Sequence, residues 1–191
     1  MTGDLSAGFT DPVTDAQSSF RALLDAMSRP GQIHCVNAAQ GPSPLANATG
    51  AAILTLVDHE TPLWLDPAAK SAERWITFHT GAPIVGVPDT ACFALALSMP
   101  DLANFALGSD ESPESSATII LQVQSLSHGE RFTLTGPGLR EPATLTVDGL
   151  PPGFASIWAA NHGLFPRGID LILCAGDQVA ALPRSVTVKE A

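Results

Sequence analysis

Apolar residues recur at helical spacing in DPVTDAQSSFRALLDAMSRPG (11–31), where Phe20, Leu23, Leu24 and Met27 follow the i, i+3, i+4, i+7 rule. Asp11 is placed to cap this helix, Pro12 suits its first turn, and Pro30-Gly31 stops it. A second, alanine-rich helix is predicted over 44–60, followed by a short buried strand at 61–66. PAAKSAERWITFHTGAP (67–83) reads as a helix with Ala68, Ala72, Trp75, Ile76 and His79 along one side. Gly81 is its C-terminal stop, and Pro83 opens an extended segment. ACFALAL (91–97) is a buried strand and DLANFALG (101–108) a short helix begun by Asp101. The polar run at 108–116 is a surface loop.

Beyond that loop the pattern becomes β-like. ATIILQVQSL (117–126), RFTLT (131–135) and ATLTVDGL (143–150) read as strands, the last two joined through Gly136-Pro137-Gly138. A helix at 153–163 carries Phe154, Ile157, Trp158 and Asn161, and strands at 168–176 and 179–188 follow. Helices alternate with strands early, hairpins dominate later, and one helix-plus-strand unit closes the pattern. The expected fold is α/β, a layered single domain over residues 1–191 around a mixed sheet.

Composition narrows the partners. The chain has 191 residues, 45% apolar and only 15% charged, so material for a core is ample and some apolar surface is left for a partner. Nineteen acids against nine basic residues give a formal charge of −10, a field that repels nucleic acid and anionic membranes. No apolar run is long enough to span a bilayer, and the N-terminal stretch shows no secretory pattern, so a cytoplasmic location is expected. Cys35, Cys92 and Cys174 are widely spaced and read as reduced, mostly buried thiols.

The chemical motifs are weak. Gly136-Pro137-Gly138 follows a strand, as phosphate loops do, but Pro137 offers no N–H and no helix follows, so the segment reads as a turn. Arg140 beside it keeps an anion site open. The five histidines lack metal spacing, and no nucleophile elbow is present. His79 at a helix end is either a poised base or a residue of packing and interface. Asp58 and Glu60 can share a proton, although Asp58-His59-Glu60 after a helix also reads as a solvated corner. Lys70 and Lys189 are the only lysines, and neither sits where a Schiff base would need a desolvated amine, so no cofactor is expected.

The ordered set DAQSSFRALLDAMSRPG, LTLVDHETPLWL, FHTGAP, LTGPG and FPRGIDLILC…VAALPRS resembles the PhnH family, subunits of the bacterial carbon–phosphorus lyase system. The resemblance runs from Phe9 to Val188. It departs at Arg167, where an apolar residue is usual, and at Val186, where a hydroxyl residue is common. It implies a three-layer α/β/α sandwich resembling a reduced pyridoxal-phosphate-dependent transferase large domain, without its lysine or cofactor. It also implies a role with PhnG, PhnI and PhnL in displacing adenine from a nucleoside triphosphate with an alkylphosphonate, giving a ribose 1-phosphonate 5-triphosphate. A core complex with PhnG, PhnI and PhnJ, and a homodimer in isolation, belong to the same implication. Asp58, His79, Arg140, Asp170 and Arg184 are the candidate pocket or interface residues, with catalysis assigned to none. Three classes stay open: a scaffold subunit; a stand-alone enzyme using His79, Asp58 or a cysteine; and an anion-binding module using Arg184 or Arg140.

Overall fold

The computed structural model describes residues 6–36 and 39–191; residues 1–5, part of the segment read above as lacking a leader, and residues 37–38 lie outside it. The first half contains α1 (Pro12–Ser28), β1 (His34–Cys35), α2 (Asn47–Leu56), β2 (Leu63–Leu65), α3 (Glu73–Thr80), β3 (Ile84–Val85) and β4 (Phe93–Ala96). The second contains β5 (Thr118–Gln122), β6 (Ser125–Thr135), β7 (Ala143–Asp148), α4 (Phe154–His162), β8 (Asp170–Ala175), β9 (Gln178–Leu182) and β10 (Thr187–Glu190). They form a seven-stranded sheet ordered β1-β9-β8-β5-β4-β2-β3 and a three-stranded sheet ordered β10-β6-β7. β3, β2, β4, β5 and β8 run parallel, whereas β9 and β1 are antiparallel additions, so the main sheet is mixed. The chain is α/β.

Period-two alternation sets the two faces of the main sheet. Leu95, Ile120, Ile172 and Cys174 pack on one side with Leu23, Ala26, Ile53, Trp75 and Ile76 from α1, α2 and α3. Their neighbours Ala94, Ile119, Leu121, Leu171 and Leu173 pack on the other side with Phe132, Leu145, Val188, Phe154 and Trp158. The second cover is therefore the small antiparallel sheet together with α4. Phe132, Phe154 and Trp158 meet there with ring centroids 5.6 and 6.0 Å apart. Each fully buried side chain of this size contributes about 1.5–3 kcal/mol through removal from water.

Local chemistry explains the helices. Asp11 accepts the N–H of Thr14, and Asp15 reaches back to the N–H of Asp11, so the opening donors of α1 are satisfied. Gly81, at φ 72°, ends α3 by donating its N–H to Thr77 O. The stretch 67–72 is a 3₁₀ segment, with three residues per turn, and this moves the buried alanines to Ala69 and Ala72, leaving Ala68 exposed.

Four expectations need correction. Phe20 and Leu24 do not join Leu23 in the core; they are 49% and 56% exposed on the outer side of α1. The helix expected at 101–108 shrinks to a 3₁₀ turn at Leu102–Asn104, because three residues capped by Asp101 gain too few bonds to propagate. The strand expected over 117–126 breaks after Gln122. There Gln124 donates its N–H to Asp148 O, and Ser125 begins the long strand of the second sheet. The strand expected over 179–188 breaks at Pro183, which has no N–H for a ladder, and the chain crosses from β9 in one sheet to β10 in the other.

Candidate functional site

Of the five candidate residues, the fold brings two together. Asp170 opens β8 and Arg184 lies just past β9, and the antiparallel pairing of those strands sets them side by side. The Asp170 carboxylate accepts from Arg184 N at 2.7 Å, from Nε at 3.1 Å and from Nη2, while Nη1 donates to Pro113 O at 2.7 Å. Both side chains are only 14% exposed. The guanidinium is thus committed to one acid and one carbonyl, and the shallow hollow beside it is also lined by Glu114. Arg184 is thereby a poor holder for an anion. It acts instead with Arg167, whose Nε lies 3.3 Å from Asp110, to fasten the acidic loop 108–116 onto the body.

The pair also sits at the wrong end for a ligand of an open α/β sheet, which binds outside the carboxyl ends of the parallel strands. Asp170 is at the amino end of β8. Over the carboxyl ends of β5 and β8 the start of α2 is packed. Gln122, the last residue of β5, accepts from Ala46 N at 2.7 Å and Thr49 Oγ1 at 2.8 Å, and donates to Pro44 O at 3.0 Å. α2 has no capping side chain of its own at Ala46, so Gln122 caps it from the neighbouring strand. Ala48 N–H donates to Gly176 O and closes the plug over β8. The sequence reading missed Gln122, and only a polar residue ending an apolar strand hinted at it.

The other three candidates stand apart. His79 Nε2 lies 3.1 Å from Ser6 O, the carbonyl that also accepts from Trp75 Nε1 at 2.9 Å, and its ring sits 4.8 Å from that of Trp75. Trp75 and His79 therefore hold the N-terminal segment across α3. Asp58 accepts from Glu60 N at 2.9 Å and Thr61 Oγ1 at 3.2 Å in an exposed turn. The bond from the Glu60 amide, with the smaller help of Thr61 and His59, holds its carboxyl below the usual range. Arg140 is exposed, one residue beyond the turn read from Gly136-Pro137-Gly138. That turn is docked on the end of α1: at Gly138, with φ +86°, an added Cβ would lie 2.3 Å from Ser28 O. A helix C-terminus presents carbonyls, the negative end of its dipole, which opposes phosphate there.

The thiols also divide. Cys35 and Cys92 are exposed, contrary to the expectation of burial, and Cys174 is buried. Burial pushes the Cys174 thiol up to about 12 against a weaker opposing hydrogen bond from Thr49, so it is not a nucleophile. Among the described residues no three His, Cys, Asp or Glu side chains are grouped as a metal site, and no helix is long and apolar enough to cross a membrane.

One further feature was not legible in advance. A groove of about 550 Å³ runs between α4 and the segment leaving β4, lined by Met99, Leu102, Leu107, Ile157 and Leu164 among others. Asn161 reaches its wall, but both its amide ends are held by Ile169, at 2.8 and 2.9 Å.

Comparison with known proteins bears on this arrangement. The family model described as bacterial phosphonate metabolism protein (PhnH) matches residues 7–189. The chain is 44% identical over 190 residues to the alpha-D-ribose 1-methylphosphonate 5-triphosphate synthase subunit PhnH of Rhizobium meliloti (strain 1021), covering 96% of this chain and 95% of that protein. It is 36% identical over 181 residues to the "Putative C-P lyase subunit protein HtxG" of Stutzerimonas stutzeri, covering 90% and 85%. A match over almost the whole length, by family model and by relatives alike, decides the matter: the chain belongs to the PhnH family.

Proposed function

We propose that this chain is a subunit of a phosphonate-processing assembly and contributes surface and scaffold where its partners contribute reacting groups. One observation carries this reading. His79 and Asp58 stand apart and are bonded within the fold, and Asp170 and Arg184 are paired with each other, while apolar side chains stand exposed on both sides of the main sheet. Val13, Phe20 and Leu24 do so on α1, and Ile157 on α4. The names of the two relatives supply the reaction context. In this reading the chain is required with PhnG, PhnI and PhnL when an alkylphosphonate displaces adenine from a nucleoside triphosphate. The product keeps the triphosphate at C5 and carries the phosphonate at C1 of ribose. The chain sits in a cytoplasmic core with PhnG, PhnI and PhnJ, and in isolation it pairs with a second copy. The fold is read as a reduced transferase large domain whose cofactor cleft is filled by Gln122 and the start of α2, and no cofactor is required.

Co-expression with those four subunits tests the reading. Retention of the tagged chain with the others through affinity and size-exclusion steps is expected. The isolated chain should show no turnover of nucleoside triphosphate with methylphosphonate. Failure to co-purify would sink the subunit reading, and turnover by the chain alone would replace it with the stand-alone enzyme.

A further inference from the structure

α4 carries two apolar stripes, and its own fold uses one. Phe154 and Trp158 face the core, while Ile157 and Ala160, at i and i+3, face the groove together with Leu164 from the turn after the helix. The opposite wall is Met99, Leu102 and Leu107. Ile157 remains 38% exposed. Both ends of the Asn161 amide are already bonded to Ile169, which fixes that side chain in the fold.

The rim has one sign of charge. Asp101 lines the groove, and a second hollow that shares Met99 and Pro151 with it is lined by Ser98, Gln124 and Asp148. No lysine or arginine lines either hollow. His128 Nδ1 lies 3.6 Å from Asp148. An occupant must therefore bring apolar side chains for the groove and positive charge for its rim. A second copy of this chain, with a formal charge of −10, meets that requirement poorly.

We infer that the groove between α4 and residues 99–107 docks an amphipathic segment of a partner polypeptide, apolar on the docking side and flanked by lysine or arginine. This rests on the subunit reading above and locates one of its contacts. In helix-in-groove docking the incoming helix supplies the apolar anchors along one face, and rim charges act mainly on association rate and salt dependence.

The test uses the co-expressed assembly with PhnG, PhnI and PhnJ as the probe, captured through a tag on this chain. Ile157→Asp places a charge in the groove at a half-exposed position, and Ala160→Phe fills the groove from an exposed position without adding charge. Either is expected to weaken capture by at least about tenfold while leaving the melting temperature of the isolated chain near that of the parent. Asp101→Asn with Asp148→Asn, which keeps the capping oxygen of Asp101, should weaken capture several-fold at low salt, with the difference vanishing near about 0.5 M salt. Parental capture by both groove variants, with loss on Phe20→Asp, would overturn the groove and leave the subunit reading standing. Conversion of a self-associated parent to monomer by Ile157→Asp, with capture unchanged, would overturn it in favour of a second copy. No capture by the parent would overturn both readings.

Discussion

Replacing Arg184 by leucine should destabilise this protein more than its place near the surface implies. The substitution removes the donors from Nε and Nη2 to Asp170 and from Nη1 to Pro113 O, leaving Asp170 only the Arg184 backbone N–H. Breaking one half of a buried pair costs about 3–5 kcal/mol, because the remaining charge is left without compensation. Both side chains keep 14% exposure and Asp170 keeps one donor, so the lower end, about 3 kcal/mol, is expected. For a chain of this size that corresponds to a fall in melting temperature of roughly 6–12 °C. Urea unfolding of the parent, Arg184→Leu, Asp170→Ala and the double variant provides the assay. The double variant should lose less than the sum of the singles, with coupling on the order of 2 kcal/mol, since an apolar pair tolerates this site better than half an ion pair. Single losses under about 1 kcal/mol that simply add would refute the reasoning and make the pair an ordinary solvent-screened bridge.

Three other outcomes are expected. His79→Gln should lower stability by about 1 kcal/mol, the scale of one internal hydrogen bond, and leave the activity of the reconstituted assembly within a few-fold; a loss on the order of 10² or more in rate with stability unchanged would make it a base. In the native protein Cys35 and Cys92 should react with a maleimide while Cys174 stays protected until unfolding, which mass spectrometry of the labelled chain reads directly. Asp58→Ala should lower the melting temperature at pH 7; because the Asp58 carboxyl lies below its usual value in the fold, its contribution is complete above the unfolded pKa of about 3.9 and is lost as pH falls through the lower folded value, so a pH series should show the two proteins converging in acid.

Much of the fold was legible because its signals are local. The Asp11 cap, the Gly81 stop and the apolar runs in 117–122 and 170–175 each depend on neighbours within a few residues. Phe20 and Leu24 misled for the same reason: periodicity reports an apolar stripe on a helix but not whether the molecule covers all of it. The break after Gln122 depends on β7, more than twenty residues on, whereas the break at Pro183 had a local mark, a residue with no N–H. At the candidate site, Asp170 and Arg184 were found as residues but not as a pair, since only the β8–β9 register joins them. The groove beside α4 left a single trace in the sequence, an excess of apolar residues over what one core requires.

The two sheet crossings also govern the order in which the chain can be completed during synthesis. Among the described residues β1 at His34 pairs with β9 at Val179, and Phe132–Thr135 of β6, on the side away from β7, pair with Thr187–Glu190 of β10. At about 5–20 residues per second, β1 waits on the order of ten seconds for its partner. Late in that interval both sheets present unpaired edges, and for its last few residues Asp170 is made while Arg184 is not. Chaperone occupancy should therefore persist until β9 and β10 emerge. Docking by other subunits, if it needs the finished body, follows release of this chain rather than accompanying its translation.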